Sequence, residues 1–282
     1  MNQLTERKTK TLRHVMLVPL VWLGLSINAN AVSPPPDGGY PGFNTAEGQN
    51  ALFNLTSGVA NAAVGWYSLW GSIDGSYNTG VGAGALLFNN SGNANTAVGT
   101  AALLFNTGNE NTAVGVAALL NNSTGLGNTA NGYQALYSNT TGQQNTAIGY
   151  QALYLNTTGG ANTALGRQAL YLNTTGGGNT VLGRQALINN NAGNFNTAIG
   201  YSAGLQVTGD NNICLGRDAG ANMTFADNVI SIGSPGDGTG FTLSNRCYIG
   251  NIRGVEVGNA DGINVIIRLR RPAWHSAILT PV

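Results

Sequence analysis

The chain has 282 residues, of which 42 are glycine and only 8% are charged, and its 12 Lys and Arg nearly balance its 11 Asp and Glu. So little charge excludes electrostatic attraction to nucleic acid or to an anionic membrane as the main activity. The two histidines and two cysteines also leave little material for nucleophilic catalysis or for a clustered zinc site.

Residues 1–31 have the pattern of a secretory signal peptide. A basic start is followed by the apolar run Val15 to Ile27 and by small residues at Ala29 and Ala31. The run is short for a membrane span, so we expect an exported protein, extracellular or at the cell surface, with no span after cleavage. An uncleaved N-terminal anchor is the alternative. Residues 32–43, which contain "SPPPDGGYPG", are predicted to be an extended linker.

A glycine recurs at a nearly constant interval through residues 44–250. Twelve intervals separate thirteen of these anchor glycines, and every interval is 17 residues except for two of 16. An unbroken period of this length is typical of one quasi-linear repeat domain. The anchors are Gly48, Gly65, Gly82, Gly99, Gly115, Gly132, Gly149, Gly166, Gly183, Gly200, Gly216, Gly233 and Gly250.

The pentad that ends at each anchor glycine predicts a short β-strand. In "NTAIG" the β-branched Thr146 and Ile148 alternate with Asn145 and Ala147, so we expect Thr146 and Ile148 on the buried face and the strand to end at Gly149. One strand in each repeat can pair only with its copies above and below, which predicts an all-β, parallel β-solenoid of about 13 rungs of 17 residues.

Three further features follow from stacking the repeats. The first Asn of the pentad should form a ladder of amide hydrogen bonds from rung to rung. The Ala-Leu pair after each strand, such as Ala152-Leu153, marks a second packing segment that is a strand or a short helical turn. Cys214 and Cys247 lie two rungs apart and out of phase, so they should not form a disulfide within the chain.

The pentads "NTAVG", "NTAIG", "NNICLG" and "NVISIG" resemble the repeats of the YadA-like head domain of trimeric autotransporter adhesins and of tail-fibre-like proteins. The resemblance implies a left-handed β-roll and a homotrimer. It covers about Asn44 to Gly250, although this repeat is a few residues longer and the C-terminal membrane barrel of those adhesins is lacking. Residues 251–282 contain the run-out of the array and a basic tail, and one shifted reading of possible codons for the tail resembles the entry to an intramolecular chaperone domain. A frameshift that removed this domain is one hypothesis.

The inventory of reactive side chains argues against an enzyme. Carboxylates are scattered along the repeats with no pair in one phase at adjacent registers, which is what glycoside cleavage would require. Asp210 and Asp218 beside "GDNN" lack the dense Gly-Asp repetition of calcium-binding β-rolls. We therefore expect no catalytic residues, no metal and no cofactor.

One column of side chains stands out, directly after the anchor glycines. Aromatic rings and guanidinium groups in one line suit stacking on sugar rings and pairing with anionic groups. The alternative is a cation–π ladder that only covers an edge of the solenoid or a trimer seam. We call these residues the Tyr/Arg column: Tyr133, Tyr150, Arg167, Arg184, Tyr201 and Arg217.

Three functions remain open. The leading hypothesis is an exported structural or adhesive repeat protein that presents a repetitive surface as a homotrimeric fibre, because a thin rung would leave its Ala-Leu stripe in need of a partner. The rival is a β-solenoid carbohydrate-binding or carbohydrate-active protein that uses the Tyr/Arg column on a surface glycan. A third is ice binding by regularly spaced threonines, which the expected burial of the Thr column disfavours.

Overall fold

A computed structural model describes residues 41–233 and 246–249, together with the backbone of residues 265–266. These residues form one sheet of fourteen short strands, paired in chain order and all parallel. The strands are β1 Thr45–Glu47, β2 Ala62–Val64, β3 Thr79–Val81, β4 Thr96–Val98, β5 Thr112–Val114, β6 Thr129–Asn131, β7 Thr146–Ile148, β8 Thr163–Leu165, β9 Thr180–Leu182, β10 Thr197–Ile199, β11 Ile213–Leu215, β12 Val229–Ile232, β13 Arg246–Ile249 and β14 Val265–Ile266.

The register confirms the predicted parallel β-solenoid. Thr146 pairs with Thr163 and Ile148 with Leu165, so each residue of a strand lies over its equivalent 17 positions along the chain. Each of the first thirteen strands ends at the residue before an anchor glycine, as the pentad predicted. The repeat in the sequence is therefore the repeat in space.

The side of each strand that faces the core is the opposite of the one predicted. In β7 the middle residue Ala147 is fully buried, Ile148 is 38% exposed and Thr146 is half-buried. The expectation that Thr146 and Ile148 point inward, with Asn145 and Ala147 outward, is wrong. The space inside a rung explains the difference, since Ala147 shares one buried core with the large Leu153 of the second segment. A small residue on one wall leaves room for a large one on the other.

The second segment is neither a strand nor a helix. Gln151 and Leu153 both have left-handed backbone, with φ of 53° and 51°, which interrupts any helical turn. Leu153 N–H donates to the carbonyl of Ala169 at 3.0 Å, and Gln151 N–H donates to that of Tyr133 at 2.9 Å. Turns bonded from rung to rung thus form the second wall, and no helix occurs in the described part of the chain.

The Ala-Leu stripe lies inside the solenoid. Ala152 and Leu153 are fully buried within the single chain, as are their equivalents in most rungs. The argument that this stripe is exposed and needs a partner subunit is therefore wrong. A homotrimer would have to form through another surface.

Two ladders of buried asparagines line the interior at the corners of the rungs. The predicted one is confirmed: Asn145 donates from its side chain to Asn128 Oδ1 at 3.1 Å and to the carbonyl of Gly159 at 2.8 Å, and its own Oδ1 accepts the backbone N–H of Asn162 at 3.0 Å. A second ladder, which includes Asn156, runs parallel to it and was missed. Asn156 Nδ2 donates to Asn139 Oδ1 at 2.8 Å. These amides satisfy backbone groups that the turns would otherwise leave buried and unpaired.

The core changes composition near its C-terminal end without losing its packing. At the position of the core leucine, two rungs carry Gly204 and Gly220. A Cβ on Gly220 would lie only 2.7 Å from the sulfur of Cys214, and Val207 and Met223 are also buried in this region. The larger side chains occupy the volume that the missing leucines vacate.

The two cysteines are unpaired, as predicted. Cys214 is buried in β11, and burial raises the pKa of its thiol to about 12, so this thiol is a packing group rather than a nucleophile. The predicted signal peptide, the predicted linker up to residue 40 and the basic tail lie outside the described residues, and so does the hypothetical frameshift.

Candidate functional site

The anchor glycines place the Tyr/Arg column at the corner where each strand ends. Gly149 has φ of 132°, and a Cβ built on it would lie 2.6 Å from the carbonyl oxygen of Gly166 in the next rung. Only glycine therefore permits this turn at this spacing. The next residue, here Tyr150, leaves the sheet with its side chain pointing away from the core.

The structure brings all six predicted residues into one exposed line. The rings of Tyr133 and Tyr150 stack with centroids 5.3 Å apart and planes 10° from parallel. The Arg167 guanidinium lies 5.5 Å from the Tyr150 ring centre. The two arginines Arg184 and Arg217 each lie 5.7 Å from the ring of Tyr201, one on either side of it along the column.

The column is open to solvent in the single chain. Tyr133 and Tyr150 are each 45% exposed and Tyr201 is 42% exposed. Arg217 also contacts Asp218, with Nε 3.1 Å from the carboxylate, but this pair is solvent-exposed and adds little to stability. The column therefore offers ring faces and guanidinium groups at a spacing of one rung, on a support that the backbone ladders hold rigid.

A glutamine ladder follows the Tyr/Arg column by one residue. Gln151 donates to Gln134 Oε1 at 2.9 Å, and the contacts continue to Gln168 and Gln185. These side chains are half-buried. Amides beside aromatic rings supply the donors and acceptors that a sugar hydroxyl needs.

A second tyrosine ladder, which the sequence analysis missed, lies beyond the glutamines. Tyr137, Tyr154 and Tyr171 stack with centroids 5.1 and 5.2 Å apart. Burial, and then the neighbouring hydroxyls of Tyr137 and Tyr171, raise the pKa of the Tyr154 phenol. Their recurrence directly after the core leucine is the signal in the sequence that could have found them.

A different surface is formed by the outward side of the strands, which we call the strand face. It consists of a Thr column and of an aliphatic column two residues later along each strand. From β2 to β10 the aliphatic side chains are between 37% and 43% exposed, and Asn131 takes the place of the aliphatic residue in β6. The Thr column comprises Thr79, Thr96, Thr112, Thr129, Thr146, Thr163, Thr180 and Thr197. The aliphatic column comprises Val64, Val81, Val98, Val114, Ile148, Leu165, Leu182 and Ile199.

The acidic residues near the C-terminal rungs have structural roles. Asp210 Oδ1 accepts the backbone N–H of Asn194 at 2.7 Å, which bonds one rung to the next, and Asp218 pairs with Arg217. Within residues 41–233 and 246–249, no group of three His, Cys, Asp or Glu side chains could hold a metal ion. No helix of the described chain is long and apolar enough to cross a membrane.

Comparisons of the chain with protein-family models, with curated proteins and with solved structures give no match. The resemblance of the pentads to YadA-like head repeats therefore stays a prediction. The geometry of the two outward surfaces is what bears on function.

Proposed function

We propose that the protein is an exported structural and adhesive repeat protein that presents a repetitive surface. The observation that carries the proposal is the unbroken stacking of equivalent residues, in which side chains such as Tyr133 and Tyr150 are displayed once per rung on a rigid support. Such a surface engages a repetitive partner through many equivalent weak contacts. Its construction needs no catalytic centre.

Self-association into a homotrimer belongs to the same proposal, through a surface other than the buried Ala-Leu stripe. The half-buried Trp70 and the exposed Phe88 and Phe105 form an aromatic cluster, in which the rings of Phe88 and Phe105 stack 5.4 Å apart. Aromatic residues are enriched where protein surfaces meet. Sedimentation of the full chain tests this: a trimer that Phe88→Ser with Phe105→Ser dissociates supports it, and a wild-type monomer contradicts it.

The second candidate is carbohydrate binding at the Tyr/Arg column. The supporting observation is that exposed rings, guanidinium groups and the glutamine ladder lie side by side, as at Tyr150, Arg167 and Gln151. An acidic glycan would stack its rings on the column and pair its carboxylates with the arginines.

An array of neutral and acidic glycans, probed with the full chain, tests both candidates. Binding to acidic glycans that is lost when the column is mutated supports the carbohydrate candidate. If the protein binds no glycan in the array, the carbohydrate candidate is contradicted and the structural proposal remains. Cleavage of any glycan in the array would contradict the expectation that the protein is not an enzyme.

A further inference from the structure

The strand face has a chemistry unlike that of the Tyr/Arg column. Its Thr side chains are half-buried or exposed, and in β3 to β10 none of their hydroxyls has a hydrogen-bond partner within the described chain. No charged side chain lies on this face from β2 to β10. Neutral hydroxyl and methyl groups are thus presented to solvent without internal use.

The positions of these groups repeat from rung to rung. Parallel pairing in fixed register places Thr146 beside Thr163, and Ile148 beside Leu165, at the strand spacing of about 4.8 Å. Along each strand, the Thr and the aliphatic residue lie about 6.6 Å apart. The result is an array of two parallel columns, with one hydroxyl, one Thr methyl and one aliphatic group in each rung.

We propose that the strand face binds ice. Methyl groups at regular spacing hold the water above them in an ordered layer, and unpaired Thr hydroxyls anchor that layer by hydrogen bonds. A face of an ice crystal is itself flat, uncharged and periodic, with a repeat distance close to the spacing of the rungs. This surface therefore has the shape, charge and periodicity that match a lattice.

A protein partner fits this face less well. Binding to proteins is dominated by Trp, Tyr and Arg side chains seated in pockets, and from β2 to β10 the strand face carries only Thr, Ala, Val, Ile, Leu and one Asn as outward residues. A second copy of the chain remains the main competing occupant, since two such faces could pack against each other. The experiment separates the two.

The array has one internal defect and two ends. Asn131 replaces the aliphatic residue in β6, and Glu47 occupies the same position in β1. Between β7 and β10 the array is continuous, and Thr146 and Thr163 lie in the first two of these four strands. Variants at these two threonines disturb the largest uninterrupted part.

The test measures thermal hysteresis and the growth of ice crystals in the presence of the full chain. Thr146→Tyr with Thr163→Tyr raises two bulky rings above the array. The matched control is Thr141→Tyr with Thr158→Tyr, since these threonines are also 17 residues apart and exposed but lie in the loop. We expect a freezing gap and shaped crystals with the wild type and the control, and loss of both with the strand-face variant.

Two further measurements keep the proposal falsifiable. Thr146→Ser with Thr163→Ser retains the hydroxyls and removes only the methyls, so it should fold like the wild type and lose part of the hysteresis. Absence of hysteresis in the wild type, or its retention in the folded tyrosine variant, overturns the proposal. So does a wild-type dimer that the strand-face substitutions convert to monomer, because the face would then be an interface between copies. We expect none of these substitutions to change glycan binding, because none of them lies in the Tyr/Arg column.

Discussion

A Cβ placed on Gly149 would lie 2.6 Å from the carbonyl oxygen of Gly166. Equivalent contacts occur between Gly132 and Gly149 and between Gly166 and Gly183. The anchor glycines therefore form a column in which each glycine makes room for the backbone of the next. This is why the sequence repeats glycine at this position while it varies the residue that follows.

Replacement of Gly149 by Val should destabilise the protein strongly. The new side chain would meet backbone, which cannot move aside, and would hold φ of 132° at a β-branched residue. We expect a loss of at least about 2 kcal/mol in the free energy of unfolding, measured by urea denaturation. Thr158→Ala, at an exposed loop position, is the control and should change stability by less than about 0.5 kcal/mol. An equal loss of stability in the two variants would contradict the assignment of Gly149 to the end of the strand.

The first asparagine ladder gives a second prediction. Asn145→Ala removes the acceptor of the Asn162 backbone N–H and the donor to the Gly159 carbonyl, and both groups are buried in the turn. Since an unsatisfied buried group costs about 1–3 kcal/mol, we expect a loss of about 3 kcal/mol. Faster amide hydrogen exchange at Asn162 than in the wild type would show that the damage is local. Unchanged exchange at this amide would contradict the assigned bond.

Ser68 and Gly80 are coupled in the core, which allows a test by double-mutant cycle. A Cβ on Gly80 would lie 2.6 Å from Ser68 Oγ, and this hydroxyl donates to the Gly80 carbonyl at 2.9 Å. One rung later the equivalent pair is Ala85 and Ala97, both buried. Gly80→Ala alone should destabilise, and adding Ser68→Ala should restore stability. Additive effects in urea melts would show that the two sites do not interact.

The thiol of Cys214 makes stability depend on pH in alkaline solution. Burial raises its pKa from 9.0 to about 12. Above pH 9.0 the thiol therefore loses its proton in the unfolded chain but keeps it in the folded chain. The folded state binds more protons there, and its stability falls as the pH rises towards the folded pKa. Cys214→Ala, which matches the Ala of other rungs, should flatten this decline between about pH 9 and pH 11 in urea titrations. Parallel curves for the two proteins would contradict the burial of the thiol.

The sequence predicted the parts of the fold that depend on the repeat itself. Constant spacing fixes the stacking, the strand that ends at Gly149 and the ladder through Asn145. It also placed Tyr150 and Arg167 in one line, since any residue lies over its equivalent in the next rung. None of these predictions needs knowledge of which side of the strand is inside.

The inward side could not be predicted, because alternation with period two defines two faces without assigning either to the core. The β-branched residues suggested that Thr146 and Ile148 were buried, but the narrow rung admits Ala147 opposite a leucine. The left-handed backbone of Leu153 could not be predicted either, since leucine seldom adopts this conformation. The second ladder was missed because the segment "NTTG", which begins at Asn156, has the composition of an exposed turn.

The last prediction concerns the Tyr/Arg column. Arg167→Ala with Arg184→Ala removes two exposed cations, each of which contributes about 0.5–1 kcal/mol at most through its ring contact. We expect the melting temperature to change little and the binding of acidic glycans to be lost, because their carboxylates lose both partners. Arg167→Lys with Arg184→Lys is the matched control, because it keeps the positive charge but removes the planar guanidinium group. If this variant binds partially and the binding falls with added salt, the binding that it retains is due to charge alone. Full binding by the alanine variant would place the ligand elsewhere, and a large loss of stability or of trimer would show that the column is a structural seam.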